Sequence, residues 1–298
     1  MNFTFRGVRG SIPSPGPNTV KYGGNTTCIE VRGPNNELII FDAGTGIFPL
    51  AQLLLAELPV TSHIFITHTH WDHIQGLPFF IPLFIPGNKV IIHGGSDPTT
   101  QRDACEVLSR QMEYAYFPVR EAELNAQIEY VSLIERQKVA VGETQVESIL
   151  MQHPAMNFGY KVTYKDKALF FTGDHEWAYN IYEPGDDDYD DFQEQITQRR
   201  REIIDFLRGI DVLIIDTAYT DEEYPAKKGW GHGTFDNSIA VAREAGVKHC
   251  FLTHHEPTRS DEKLEEVFQE ALLRNNVKED DENEPKFYLA REGITFDF

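Results

Sequence analysis

A dense group of metal-type side chains occurs early in the chain, in the stretch THTHWDHIQG at residues 67–76. Imidazole nitrogens and carboxylate oxygens are ligands that suit Zn²⁺, Mn²⁺ or Fe²⁺. The stretch follows an apolar run typical of a buried strand, and alternate residues leaving a strand can point toward one centre. Because four such side chains lie within six positions, we predict a metal site rather than a polar surface loop. The H-x-H-x-D-H pattern consists of His68, His70, Asp72 and His73.

Further ligand-type residues occur downstream, each directly after a predicted strand. His153 lies in MQHPAMNFGY, Asp174 lies in FFTGDHEW, and CFLTHHEP offers either His254 or His255. Any one of these alone is more typical of a hydrogen-bonded structural residue. Together with the H-x-H-x-D-H stretch they form a consistent ligand set, provided that the sheets bring these strand ends together.

The elements that must position these residues alternate between strand-like and helix-like segments. NELIIFDAG is a predicted strand followed by the predicted helix IFPLAQLLLAEL, and DVLIIDTAY is a predicted strand followed by the predicted helix TFDNSIAVAREAG. This alternation favours an α/β architecture. No long Pro-, Gly- or Ser-rich linker divides the chain, so we predict one domain over residues 1–298, built from two β-sheet halves with helices outside.

The charge of the chain restricts its partners. With 47 acidic and 27 basic residues the net charge is −20, which disfavours binding of a polyanion such as tRNA. The only dense basic cluster is Arg199–Arg201, and the acidic runs GDDDYDDFQE and KEDDENEP are predicted to be solvated loops or tails. We therefore expect a small substrate and no large nucleic acid.

The first residues, the longest apolar run and the cysteines indicate the cellular compartment of the protein. The first residues, MNFTFRGVRGS, lack the apolar core of a secretory signal, and prolines interrupt the longest apolar run, Leu77–Pro86. Three cysteines, Cys28, Cys105 and Cys250, form no complete disulfide framework. These features predict a cytoplasmic protein without a membrane anchor.

The sequence resembles the metallo-β-lactamase superfamily, in the branch that contains ribonuclease Z and cyclic-nucleotide phosphodiesterases such as the anti-Pycsar type. The resemblance extends from GVRGSIPSPG and YGGNTTCIEV through FDAGTG, THTHWDH, GDHEW and GWGHGT to LTHHEP. It implies a four-layer αββα sandwich of the α/β (α+β) class. It also implies two divalent metal ions at one edge, Zn²⁺ or Mn²⁺, with Fe²⁺ as a further option. A homodimer is an expectation from the family alone.

The resemblance also implies a division of the ligands between two metals. Position in the THHEP motif favours His254 over His255 as the last ligand, and Asp42 of FDAGTG would accept a hydrogen bond that orients a ligand histidine. The roles of His93 and His175 stay open. One metal is assigned to His68, His70 and His153, the other to Asp72, His73 and His254, and Asp174 would bridge the two.

His232 in GWGHGT narrows the expected chemistry. In the phosphodiesterase branch a comparable histidine reaches the phosphate and can act as a general acid, so His232 is predicted to be catalytic together with Asp72. The structural alternative is a helix N-terminus capped by Thr234, and both roles are compatible because such an end also favours an anion. Lys227 and Lys228 are either phosphate contacts or ordinary exposed lysines.

The expected function is a dinuclear metal-dependent phosphodiesterase that attacks phosphorus with a metal-bridging hydroxide. Small phosphodiesters are the expected substrates, cyclic mononucleotides first. Two alternatives stay open, a tRNA 3′-processing endoribonuclease and a lactone or thioester metallohydrolase, which would not need the GWGHGT histidine. A β-lactamase would carry a cysteine where Asp174 stands, and a flavodiiron protein a carboxylate in place of His70. The segment GLPFFIPLFIPG is predicted to line a base pocket, form a dimer interface or pack in the core.

Overall fold

The protein, described from a computed structural model over residues 1–97, 101–278 and 280–298, contains two seven-stranded sheets. The first sheet has the strand order β14-β1-β2-β3-β4-β5-β6, and β3 to β6 run parallel to one another. Its strands are β1 (Asn2–Gly7), β2 (Cys28–Arg32), β3 (Leu38–Phe41), β4 (Thr61–Phe65), β5 (Lys89–Gly94), β6 (Gln127–Ser132) and β14 (Thr295–Asp297).

The second sheet has the order β13-β12-β11-β10-β9-β8-β7, and β10 to β13 run parallel. Strands β8, β9 and β10 form an antiparallel meander, so β8 points in the same direction as β10. The strands are β7 (Lys138–Val141), β8 (Thr144–Met151), β9 (Asn157–Tyr164), β10 (Lys167–Phe171), β11 (Val212–Asp216), β12 (His249–Thr253) and β13 (Lys286–Leu289).

Helices cover the outer face of each sheet. Residues of α1 and α3 pack on the first sheet, and residues of α4, α5 and α6 pack on the second. Among the described residues, short 3₁₀ segments occur at Pro17–Thr19, Leu77–Phe79, Ile81–Phe84, Glu121–Glu123 and Tyr224–Ala226. The α-helices are α1 (Ile47–Leu54), α2 (Trp71–Ile74), α3 (Ala104–Gln111), α4 (Tyr189–Leu207), α5 (Phe235–Ala245) and α6 (Asp261–Arg274).

The apolar residues of the strands separate into layers because successive side chains of a strand point to opposite faces. In β3, Ile39 and Phe41 belong to the core between the sheets, whereas Leu38 and Ile40 belong to the core under α1. Phe41 stacks on Tyr160 of the opposite sheet, with ring centroids 5.6 Å apart. Helices, two packed sheets and helices form four layers, which confirms the predicted αββα sandwich.

One detail of the predicted elements differs in the structure. The second half of the acidic run GDDDYDDFQE is not a solvated loop, because α4 begins at Tyr189. The run KEDDENEP includes residue 279, which lies outside the described residues, and its residues 280–283 are exposed. In GLPFFIPLFIPG, Leu77, Phe80 and Leu83 are buried against the first sheet and belong to the core, whereas Phe79 is 52% exposed. Along the described chain, no helix has the length and apolar character needed to cross a membrane.

Candidate metal centre

The carboxyl ends of several strands meet at one edge of the sandwich, and the predicted ligands follow these ends. His68 and its neighbours come after β4, His153 after β8, Asp174 after β10 and His254 after β12. Two groups of ligand atoms result, each within 4.8 Å of one another, and both contain Asp174. The first group is His68, His70, His153 and Asp174, and the second is Asp72, His73, Asp174 and His254.

The first group is compact. The Nε2 atom of His68 lies 3.6 Å from Oδ2 of Asp174, and the Nε2 atom of His153 lies 3.2 Å from Nδ1 of His70. The Nδ1–H of His153 donates to the carbonyl of Gly231 at 3.0 Å, which directs Nε2 of the same ring toward the group.

The second group uses the other oxygen of Asp174. Its Oδ1 atom lies 3.1 Å from Nε2 of His73 and 3.2 Å from Nε2 of His254. The Oδ2 atom of Asp72 lies 3.2 Å from Nε2 of His254 and accepts a hydrogen bond from the backbone N–H of Ser11 at 2.7 Å. The two carboxylate oxygens of Asp174 therefore face different groups, as a bridging ligand requires.

The centre has an excess of buried negative charge. The residues Asp42, Asp72, Asp174 and Asp216 are all at most 5% exposed. Burial alone would lower the pKa of His254, but Asp174, Asp216 and Asp72 outweigh burial and raise it to about 9. Buried charges are expensive unless they are compensated, so this centre attracts cations.

Several ring and carboxylate atoms in the centre have no hydrogen-bond partner. These buried atoms are His68 Nε2, His73 Nε2, Asp174 Oδ1, Asp216 Oδ1 and His254 Nδ1. Buried polar atoms are normally hydrogen-bonded or bound to a metal. The unpartnered atoms, the excess charge and the nitrogen and oxygen donors together fit two divalent cations.

Asp42 orients one of the predicted ligands. Its Oδ2 atom accepts a hydrogen bond from Nδ1–H of His73 at 2.7 Å, and its Oδ1 atom accepts one from the backbone N–H of Thr67 at 2.7 Å. Because Nδ1 of His73 is engaged by Asp42, Nε2 is the nitrogen left for a metal. This contact matches the predicted role of Asp42 as an orienting acceptor.

We expect Asp42→Asn to weaken metal binding about 10–100-fold, because a neutral amide holds the ring of His73 less firmly than a carboxylate. Asparagine tolerates the left-handed backbone at this position, where φ is 59°. The measurement is metal affinity by competition with a chromogenic chelator. Asp211→Asn is the matched control, because Asp211 is 3% exposed but its carboxylate binds Lys248 and the backbone N–H of Ala168. Equal affinity in both variants would contradict the orienting role of Asp42.

Sequence reasoning did not identify Asp216, the last residue of β11. Its Oδ2 atom accepts a hydrogen bond from Nδ1–H of His232 at 2.9 Å and from the backbone N–H of His175 at 2.9 Å. Burial alone would lower the pKa of His232, but the carboxylates of Asp216 and, to a smaller extent, Asp174 together outweigh burial and raise it. One feature of the sequence could have identified Asp216: it is the acidic residue at the end of the buried run VLIID. This run forms the strand that pairs with the strand before His254.

The position of His232 is compatible with two roles, that of a metal ligand and that of a proton donor to the substrate. Its Nδ1 atom lies 3.8 Å from Oδ2 of Asp174, and its ring stacks on that of His254 with centroids 4.6 Å apart. Asp174, Asp216, His232 and His254 form a third group with ligand atoms within 4.8 Å of one another. Because Asp216 already engages Nδ1, Nε2 of His232 is the nitrogen left to reach a substrate.

Glu176 and Gly231, neither of which was singled out from the sequence, shape the GWGHGT loop. The carboxylate of Glu176 accepts hydrogen bonds from the backbone N–H groups of Gly229 and Gly231, both at 2.8 Å, and from the hydroxyl of Tyr224 at 2.6 Å. Gly231 has φ of 94°, and a Cβ there would lie 2.1 Å from Nδ1 of His153. Only glycine allows the loop to approach the ligand histidine this closely.

The remaining histidines lie outside these groups. The Nε2–H of His255 donates to the carbonyl of Ala290 at 2.8 Å, so His254 is the member of the pair that joins the centre. The ring of His93 pairs with His63, with 3.1 Å between their nitrogens. His175 is 2% exposed, and its Nδ1 accepts a hydrogen bond from the backbone N–H of Gln152 at 3.1 Å.

The two lysines before the GWGHGT histidine lie over aromatic rings. The ammonium group of Lys227 is 4.0 Å from the ring centroid of Trp230, and that of Lys228 is 3.8 Å from the ring centroid of Tyr179. Such contacts are cation–π interactions. The two lysines therefore pack on aromatic side chains beside the loop. Their contact with phosphate stays a prediction.

Comparisons with known proteins place the chain in a family. A profile of the Beta-lactamase superfamily domain matches residues 37–255. The chain is 23% identical to Ribonuclease Z of Staphylococcus aureus (strain MSSA476) over 325 residues, which cover 99% of each protein. The metallo-beta-lactamase fold protein YhfI from Bacillus subtilis superposes with a TM-score of 0.67 at 16% identity, covering 99% of this chain and 98% of YhfI.

A diphosphatase from the PhnP family superposes with a TM-score of 0.63 at 19% identity, covering 100% of this chain and 97% of the diphosphatase. These relatives confirm the predicted resemblance to the branch that contains ribonuclease Z and phosphodiesterases. The profile match extends from β3 to the end of the THH motif and so includes every predicted metal ligand. The chain therefore belongs to the Beta-lactamase superfamily and is a metallo-β-lactamase-fold hydrolase.

Proposed function

We propose that the chain is a dinuclear metal-dependent phosphodiesterase whose substrates are small phosphodiesters, cyclic mononucleotides first. The observation that carries this proposal is the pair of Asp216 and His232 beside the two ligand groups, with 2.9 Å between Oδ2 and Nδ1. A histidine whose pKa is raised by a carboxylate is suited to donate a proton to a departing oxygen. A cyclic nucleotide needs this donor because its alkoxide leaving group is strongly basic.

In this proposal the metal ligands, His232 and Asp216 have different roles in hydrolysis. The seven predicted ligands would hold two divalent ions, which would neutralise phosphate charge and lower the pKa of a bound water toward about 7. Hydrolysis forms a bond between the water oxygen and phosphorus and breaks one phosphorus–oxygen ester bond, while the water loses one proton to solvent, from which His232 is later reprotonated. His232 gives its Nε2 proton to the departing oxygen, and Asp216 holds the imidazolium in place. The product is a phosphomonoester.

The basic cluster at the start of the second half of α4 supports a small substrate rather than RNA. Arg199 binds Glu135 at 2.5 Å, and Arg200 binds Glu244 at 2.5 Å. Two of the three consecutive arginines are therefore neutralised by carboxylates of the chain itself. In a protein of net charge −20 this leaves a weak surface for a polyanion.

RNA processing is the second candidate, because the relative from Staphylococcus aureus that aligns over 99% of the chain is named a ribonuclease Z. The two functions share the metal centre and differ in the surface around it. A lactone or thioester hydrolase would also use the metals, but it gives no role to the pair of Asp216 and His232. We also propose that the protein is cytoplasmic. Its native metal would be Zn²⁺ or Mn²⁺.

A panel assay tests the proposal. Purified protein loaded with Zn²⁺ or Mn²⁺ is given cyclic mononucleotides, bis(p-nitrophenyl) phosphate, a tRNA precursor, a lactone and a thioester. We expect phosphodiester turnover that is lost in His68→Ala, with the cyclic mononucleotides cleaved faster than the RNA. Faster cleavage of the tRNA precursor would favour the ribonuclease alternative. Turnover of the lactone or thioester with no phosphodiester cleavage would reject the proposal.

A further inference from the structure

A cavity of about 370 Å³ opens beside the first ligand group. His68 and His70 line it on one side, and Arg102 and Asp97 line it on another. Sites for small molecules typically have volumes of roughly 300–1,000 Å³. The cavity therefore has room for part of a small substrate that also reaches the metal centre.

Among the described residues, most of the remaining wall of this cavity is apolar. The apolar part consists of Ile66, Ala104, Val107, Pro154, Ala155 and Met156, together with Gly94 and Gly95, and Thr67 and Thr69 add two polar residues. A Cβ at Gly95 would lie 2.2 Å from Cε of Met156, so a side chain there would displace this wall. An apolar wall of this kind suits the face of a planar ring better than a phosphate group, which needs polar contacts throughout.

Arg102 is the cationic group of this cavity. The side chain is partly exposed, and among the described residues its guanidinium takes part in no hydrogen bond or ion pair. Arg199 and Arg200, by contrast, each bind a carboxylate. An arginine in a cavity with unused donors is positioned to bind an acceptor group of a ligand.

We propose that this cavity receives the nucleobase of a nucleotide substrate and that Arg102 binds the acceptor edge of the base. The guanidinium fork matches two neighbouring acceptors, and guanine presents such a pair at O6 and N7. Adenine replaces O6 by a donor, so Arg102 favours guanine over adenine. This inference rests on the proposed phosphodiesterase function and adds to it a residue that determines specificity.

Arg102→Ala tests the inference through the ratio of kcat/KM for 3′,5′-cyclic GMP to that for 3′,5′-cyclic AMP. We expect the wild type to prefer the guanine substrate and the variant to lose about 5- to 150-fold of that preference, which corresponds to the about 1–3 kcal/mol by which a bidentate arginine contact discriminates bases. Bis(p-nitrophenyl) phosphate, which has no base, should be cleaved equally by both proteins. Arg110→Ala is the matched control, because Arg110 is an exposed arginine of α3 that does not line the cavity.

The possible failures are distinguishable. An unchanged preference in Arg102→Ala, or an equal loss on all substrates including bis(p-nitrophenyl) phosphate, would overturn the base-binding role. A wild type without preference for guanine would overturn it as well. If the wild type cleaved no phosphodiester at all, the proposed function itself would fail, whereas cleavage of bis(p-nitrophenyl) phosphate preserves it.

Discussion

Asp174→Ala is expected to lose both metal ions and to lower turnover by at least about 10³-fold, because the activated water depends on the metals. The two oxygens of Asp174 face different ligand groups, with Oδ2 3.6 Å from His68 and Oδ1 3.2 Å from His254. No other residue belongs to both predicted metal sites. The measurement is metal content by mass spectrometry after dialysis, together with the rate on a phosphodiester.

Two further variants separate loss of the bridge from loss of the fold. Asp174→Asn keeps the shape of the side chain, so its thermal unfolding should stay closer to that of the wild type while metal content still falls. Asp166→Ala removes an exposed carboxylate from the turn at the other end of β10 and should change neither quantity. Wild-type metal content in Asp174→Ala would show that Asp174 is not a bridging ligand.

Much of the centre could be predicted because its ligands follow strand ends in the sequence. The apolar run before THTHWDH forms β4, and FLT before His254 forms the end of β12. A buried apolar run directly before a polar motif therefore correctly indicated a strand that ends at the centre. Parallel strands then place these motifs at one edge. The family resemblance supplied the pairing of ligands, which spacing alone left open.

The residues that were missed act through contacts that connect distant parts of the chain. Asp216 reaches His232 across 16 positions, and Glu176 reaches the backbone of Gly231 across 55 positions. A carboxylate at a strand end has many structural uses, and only the folded chain shows which donor it meets. The unpaired state of Arg102 is likewise a property of the cavity and leaves no trace in a motif.

His232→Ala is expected to lower kcat about 10²–10⁴-fold on an alkyl phosphodiester while metal content stays unchanged. In the proposed function, Asp216 holds Nδ1 of His232 at 2.9 Å and Nε2 acts as a proton donor, so removal of the ring removes the proton and leaves the seven predicted ligands in place. Asp216→Asn should give a smaller loss, because the ring remains but the carboxylate no longer raises its pKa. Equal metal loss in His232→Ala and Asp174→Ala would instead make His232 a ligand, as its place in the third group allows.

The leaving group and pH distinguish a proton donor from a structural residue. p-Nitrophenolate departs without a proton, so His232→Ala should slow bis(p-nitrophenyl) phosphate far less than a cyclic nucleotide. Asp216 raises the pKa of His232, so the proton is present below that pKa and is lost as pH rises through it. Wild-type activity on the cyclic nucleotide should therefore decline on the alkaline side, and this decline should be absent in His232→Ala. A uniform loss on both substrates with an unchanged pH profile would assign His232 to the structure of the loop.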